Sequence, residues 1–344
     1  MKRLTTLTLL VAVVTVAGAG PALACGGLVN PNGTVSLVKT TTMAGYIDGV
    51  EHYLTSFRFN GGGAEFGSIV PLPGVPSKVE RGGDWTLQRL VEEVSPPIRR
   101  FAVFSAAADS AVRAEVILET QIDALDITVL KGGGDAVGKW AEDHGFLLTP
   151  DTPEVLDFYA ERSPIFLAAR FDPKEARARG QQVGDGTPIH VTIPTPNPWV
   201  PLRILGLGLG DNAPVEADVF LLTDNIPAML PRPADEEQPE GMILERSERA
   251  SGSLLADLRS DKGMGWIPKD DMWLTYLRIN EQAGDLKHDL ALDVSGQNSP
   301  SPVAAGLEAP VKVELPRETN WWQWAAAIVL GLGVLRLTGK VAAR

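Results

Sequence analysis

Apolar segments sit at both ends of this chain, and they fix how much of it is left to fold in water. At the N-terminus, Lys2 and Arg3 precede an apolar stretch from Leu4 to Ala19. Pro21 then breaks any helix, and Ala22-Leu23-Ala24 supplies the small-x-small pattern of a signal-peptidase site, so residues 1–24 are expected to be a cleaved signal. At the C-terminus, Trp321, Trp322 and Trp324 lead into an unbroken apolar run from Ala325 to Leu335, with Arg336, Lys340 and Arg344 behind it. Indole rings favour the headgroup layer and basic residues stay on the cytoplasmic side, so both signals give one orientation. Residues 321–337 are expected to span as one transmembrane helix, with 338–344 as a cytoplasmic tail. At 17 residues the span is near the lower limit, and Arg336 must snorkel to the inner surface. Glu314-Leu315-Pro316-Arg317-Glu318-Thr319 lacks the glycine of an LPxTG-like sorting motif. The expectation is a single-pass protein of the cell membrane with its N-terminus outside and its bulk extracytoplasmic.

Cys25 is the only cysteine and would be the first mature residue. No intramolecular disulfide can form, so an exported domain must be held by its core. Three readings of Cys25 compete. A lipidated cysteine needs leucine three positions before it and a small residue between; Ala22 and Leu23 stand the wrong way round. An N-terminal nucleophile would pair the free α-amine with the thiol but needs a pocket of oxyanion donors. The third reading is a lone thiol with no catalytic role, or one that pairs between chains.

The segment between the two ends, 25–320, carries 26 basic and 43 acidic residues, a formal charge of −17 against −12 for the whole chain. That argues against nucleic acid or anionic lipid as a partner. About 296 residues suffice for a large core, as one large or two ordinary domains.

Turn chemistry and β-branched runs dominate the organisation. Asp48-Gly49 separates a β-branched run, 34–43, from 50–59, in which Tyr53, Thr55, Phe57 and Phe59 share a face; this reads as a hairpin. Pro71 and Pro73 require a strand that ends or lies at an edge. Asp84 is expected to cap a helix from Trp85 to Val94, and Asp135 a helix ending at His144 with Gly145 behind it. Thr152-Pro153-Glu154 and Asp172-Pro173 open further helices. Strands are expected at 98–104, 112–119, 122–130, 163–171, 215–222 and 273–279. Residues 231–241 read as an acidic, proline-rich loop, and 295–320 as a stalk. The fold class is α+β, strand-dominated with short helices, in one extracytoplasmic domain over 25–294.

Several segments, taken in order, carry a family resemblance. They are Ala24-Cys25-Gly26-Gly27; Asp48-Gly-Val-Glu-His-Tyr-Leu54 running into Phe66-Gly-Ser-Ile-Val-Pro-Leu-Pro73; and Ala136–Gly145 with Thr149-Pro150. Val155–Tyr159 and Ile165–Arg170 follow, then Ile193-Pro194, Pro201-Leu202-Arg203-Ile204 and Leu274-Thr-Tyr-Leu-Arg278. The set resembles the bacterial family termed domain of unknown function 2330, over roughly 25–290. The resemblance implies an exported, often membrane-anchored protein and carries over no catalytic residue.

The residues themselves show no catalytic motif. His52, His144, His190 and His288 stand in no His-x-x-x-His or Cys/His spacing, so no metal site and no cofactor is expected. There is no Gly-x-Ser-x-Gly elbow. Glu51, Asp84, Glu92, Glu93, Glu142 and Asp143 include pairs of the kind a glycosidase uses, as chance alone would supply. Asp123 with Asp126, or Asp270 with Asp271, lack EF-hand spacing for calcium. Trp199, between Pro198 and Pro201, is the binding candidate if exposed, as a rigid platform for a sugar ring or partner protein; otherwise it is core. The resulting expectation is a non-enzymatic binding module for an envelope protein or glycan. The alternative is an envelope hydrolase using carboxylates or Cys25.

Overall fold

A computed structural model describes residues 27–29, 36–60, 66–94, 115–180, 186–235, 238 and 240–311. The expected signal 1–24, Cys25, the strand expected at 98–104, the expected span 321–337 and the expected tail 338–344 lie outside the described residues. In chain order the strands are β1 (Gly27–Val29), β2 (Ser36–Ile47), β3 (Val50–Asn60), β4 (Phe66–Pro71), β5 (Lys78–Arg81), β6 (Glu115–Ile122), β7 (Leu125–Lys131) and β8 (Ile165–Phe171). They continue as β9 (Pro188–Pro194), β10 (Trp199–Val200), β11 (Pro214–Thr223), β12 (Ala228–Leu230), β13 (Gly241–Arg249), β14 (Trp273–Gln282) and β15 (Leu290–Asp293). The helices are α1 (Thr86–Val94), α2 (Gly134–Asp143), α3 (Thr152–Ala160), α4 (Pro173–Ala178), α5 (Gly252–Ser260) and α6 (Pro302–Ala305). The strand-dominated α+β reading therefore holds. Among the described residues no helix is long and apolar enough to cross a membrane.

Three sheets form: a five-stranded one ordered β1-β4-β8-β7-β6, a seven-stranded one ordered β13-β14-β11-β2-β3-β9-β5, and a three-stranded one ordered β10-β15-β12. The hairpin β2–β3 turns at Asp48 and Gly49, both left-handed at φ 51° and 79°, as a tight turn between twisted strands requires. Among the described strands all ladders are antiparallel except β2 with β11, where Thr40 to Tyr46 run alongside Ala217 to Thr223; an isolated parallel bridge also joins Ala234 and Ile243. β4 ends at Pro71, which disposes of the missing amide donor at a strand terminus.

Alternation of side chains across the strands stacks these elements in four layers. Ile165, Leu167, Ala169 and Phe171 of β8 join Ala44, Tyr53, Val191 and Val219 in a core between the two large sheets. Phe166 and Ala168 point the other way, onto Val137, Trp140 and Ala141 of α2 and Val155, Leu156 and Tyr159 of α3. Met43, Leu54, Phe220 and Leu222 leave the far face of the seven-stranded sheet to meet Leu87 and Leu90 of α1 and Leu254, Leu255 and Leu258 of α5. Apolar residues three and four apart give each helix a single buried stripe. A strand buried on both faces, such as β8, consequently reads as one continuous apolar run.

Three local expectations are corrected. Asp84 does not cap α1; it pairs with Arg81 at 2.5 Å. The orphan N–H groups of Asp84, Trp85 and Thr86 instead donate to the Asp261 carboxylate at 3.2, 3.1 and 2.8 Å, and the Thr86 hydroxyl donates to it at 2.7 Å. Asp135 lies inside the first turn of α2, and Gly133 holds the cap position without a side-chain bond. The proline and serine stretch expected to be a stalk is packed as far as Ala309: the chain divides into the units Met1–Ala309 and Pro310–Arg344, and α6 buries Ala304 and Ala305 in the first. Small apolar residues inside a proline-rich segment give little sequence sign of burial. By contrast Asp172 does cap α4, accepting from the N–H of Lys174 at 2.5 Å, and Pro153 sits in the first turn of α3.

Candidate functional site

Strand β3 sends adjacent residues to opposite faces, and two ionisable ones become buried on the two sides. His52 shares its face with Leu54 and lies in register with Gly45 of β2 and Thr192 of β9. His190 of β9 stands opposite Leu54 on one side and Glu80 of the edge strand β5 on the other. The rings meet diagonally: His52 Nδ1 and His190 Nε2 are 3.1 Å apart, with 8% and 2% of each residue exposed. Trp266 lies flat on His52, ring centroids 3.9 Å apart and planes 3° from parallel. Its place exists because β2 has no side chain at Gly45, where a Cβ would fall 2.2 Å from the indole. The buried indole N–H of Trp266 has no protein partner.

The Glu80 carboxylate is 3.5 Å from His190 Nδ1, a Coulombic contact rather than a formed hydrogen bond, and Lys78 holds Glu80 at 2.8 Å. A carboxylate there favours the proton on Nδ1 of His190. That makes Nε2 the acceptor and His52 Nδ1 the donor, an assignment that follows from the chemistry of the neighbours. Burial pushes His52 down to about 4, with the adjacent His190 adding to the effect. Burial also lowers His190, partly countered by Glu80 and reinforced by Lys78. Both rings are neutral at pH 7.

On the opposite face of β3, Glu51 is fully buried, and burial raises it to about 8. Its Oε2 accepts from the backbone N–H of Trp199 at 3.3 Å, and its Oε1 has no partner in the protein. A carboxyl group so placed stays protonated at neutral pH. The third buried centre is Asp289, which accepts from the Tyr159 hydroxyl at 2.8 Å, the N–H groups of Leu202 and Arg203 at 2.8 and 3.0 Å, and the Arg162 guanidinium at 2.5 Å. Burial, then the Asp289 charge, hold the Tyr159 phenol well above its usual value. Both carboxylate oxygens of Asp289 are engaged, Oδ1 by three donors and Oδ2 by Arg162, so this is a satisfied structural hub.

Trp199 belongs to that hub. Only 3% of it is exposed; it stacks on Tyr159 with centroids 5.8 Å apart, and Arg162 lies 5.0 Å over its ring. Of the two readings of Trp199, the geometry is that of a packed ring. His144 stacks on Trp140 at the end of α2, on the outer layer of the five-stranded sheet, away from His52 and His190. The acidic candidates are dispersed into ion pairs: Glu93 with Arg89, Asp143 with Lys139, Asp123 with Arg81, Asp271 with Arg249. Among the described residues no group of three or more His, Cys, Asp or Glu is arranged to hold a metal ion. Sequence reasoning named His52, His190 and Glu51 but missed Glu80 and Trp266. The alternation of β3 was visible; the residues that cover its faces come from distant segments.

A comparison with curated proteins gives no match. Among solved structures, the crystal structure of baculovirus P35 aligns with a TM-score of 0.41 and 10% identity, over 76% of this chain and 97% of that one. At that level the two chains share too little geometry to relate their functions. A family profile described as "Uncharacterized protein conserved in bacteria (DUF2330)" matches residues 19–225, a shorter stretch than the motif set alone suggests and one that ends just past β11. It spans the His52–His190 pair, Glu51, Glu80 and Trp199, and the chain belongs to this bacterial family, domain of unknown function 2330.

Proposed function

We propose that this protein is exported, anchored by one C-terminal span, and acts outside the cytoplasmic membrane by binding an envelope protein or glycan rather than by catalysis. The observation that carries the reading is the pairing of its ends. A charged, apolar, small-x-small leader stands before Cys25, and a tryptophan-flanked apolar run with basic residues behind it closes the chain. The acidic balance of the segment between them keeps such a domain soluble at the envelope.

The most deeply buried ionisable side chains with displaced protonation fit binding better than catalysis. Glu51, His52, His190 and Tyr159 are buried between layers, each against a protein neighbour. A general acid or base has to reach a substrate atom. A reporter active only in the cytoplasm should work when fused after Arg344, and one active only outside should work when inserted at Gln238. The reverse pattern sinks the topology. Intact-mass measurement of the mature chain should give an N-terminus at unmodified Cys25; a diacylglyceryl mass would replace the helical anchor with a lipid one.

A further inference from the structure

We propose that the His52–His190 pair, roofed by Trp266, is an acid-released latch that holds residues 261–267, and through Asp261 the start of α1, against the seven-stranded sheet. Besides the buried side chains of Met264 and Ile267, the segment has two grips on the rest of the molecule. At one end the Asp261 carboxylate takes the N–H groups of Asp84, Trp85 and Thr86. At the other, Trp266 lies in the gap left by Gly45 and stacks on His52. Between them Gly263 has a φ of 78°, and a Cβ built on it would sit 3.7 Å from His190 Nδ1, so the backbone of the segment covers the second histidine as well.

The latch closes when both rings are neutral, because one ring then donates to the other across 3.1 Å. Protonating both leaves two N–H donors pointed at each other and two positive charges in contact inside the protein. That arrangement is unfavourable by repulsion and by desolvation together. The groups acting on the pair from its surroundings are few. Glu80 on β5 favours charge on His190, and Lys78 on the same strand opposes it. On the β2 side the register position is Gly45, without charge, and on the loop side Asp261 is already engaged by α1. The pair resists protonation by burial, and the one compensating charge, Glu80, is itself paired with Lys78. Relief comes from letting water in, and the 261–267 segment, which is neither helix nor strand, is the cover held by no ladder of hydrogen bonds. Its Trp266 makes no hydrogen bond through the indole N–H and so can swing out without breaking one. The consequence reaches α1 because Asp261 travels with the same segment. The device works wherever the chain resides and stands apart from the binding reading above.

Hydrogen exchange followed by mass spectrometry on the full-length chain, between pH 7 and pH 4 and corrected for intrinsic rates, tests this. Amides of 86–94 and 261–267 should lose protection by about tenfold or more, the equivalent of one unit of differential protonation. Strands 125–131 and 165–171 should keep theirs at the same pH. Glu80→Gln, on the solvent side of the pair, removes the charge that favours protonation and should shift the local transition to lower pH. His52→Phe keeps a ring under Trp266 and should abolish the step; if that variant fails to fold, Glu80→Gln carries the test alone. The latch is overturned if strands 125–131 and 165–171 lose protection along with 86–94 and 261–267, if 261–267 stays protected down to pH 4, or if Glu80→Gln leaves the midpoint unmoved.

Discussion

Adjacent residues on β3 give this protein opposite responses to pH. Glu51 has an unfolded value near 4.5 and is raised to about 8 by burial, so the folded state holds its proton more tightly. Its contribution is fully present at low pH and is lost as pH rises through about 8, at roughly 1.4 kcal/mol per unit. His52 runs the other way. With its value lowered from 6.5 to about 4, its contribution is present above 6.5 and lost as pH falls towards 4. Glu51→Gln should therefore flatten the alkaline limb of a stability–pH curve measured by urea unfolding between pH 5 and 9, and leave the acid limb in place. An unchanged alkaline slope would show that Glu51 does not carry it. Part of this was legible in the sequence: period-two alternation puts Glu51 and His52 on opposite faces. What buries them was not, because Trp199 reaches Glu51 across 148 residues of chain and Trp266 comes from further still.

Among the secondary-structure elements, local rules succeeded where their chemistry is local. Asp48-Gly49 fixes a hairpin with its own backbone, and Asp172-Pro173 caps and starts a helix within three residues. The start of α1 failed because its cap is supplied by Asp261, 177 residues from Asp84. A carboxylate accepting from four backbone donors, three at the start of α1 and Lys262, and a hydroxyl is worth more than a surface pair, so the two aspartates should separate cleanly on substitution. Asp261→Ala should lower stability by about 2 kcal/mol or more in chemical denaturation. Asp84→Ala, which loses only a half-exposed contact with Arg81, should stay within about 0.5 kcal/mol of the parent. Equal costs would contradict the assignment of the cap.

For the molecule as a whole, the α+β class was legible but the four-layer arrangement was not, since layer order depends on which sheet each face meets. The end of the folded unit was also misread, because α6 hides in a proline-rich stretch. Its burial makes a truncation test direct. Ending the chain after Ala309 should leave the thermal midpoint of the first unit unchanged. Ending it after Val294 removes Ala304, whose carbonyl accepts from Arg162, and Ala305 from the core. That should lower the midpoint by roughly 5 °C or more. The parallel seam between β2 and β11, where Thr40 aligns with Ala217, has a consequence for how the chain is made. Synthesis delivers β2 and β3 early, but the open edge of β2 has no neighbour until β11 emerges. Throughout that interval a long strand offers its unpaired amides and carbonyls to any passing chain. The largest sheet thus cannot be finished during translation of the first half, and closure over so long a loop is a slow step. The waiting edge of β2 is therefore where this fold is most open to mispairing before its second half arrives.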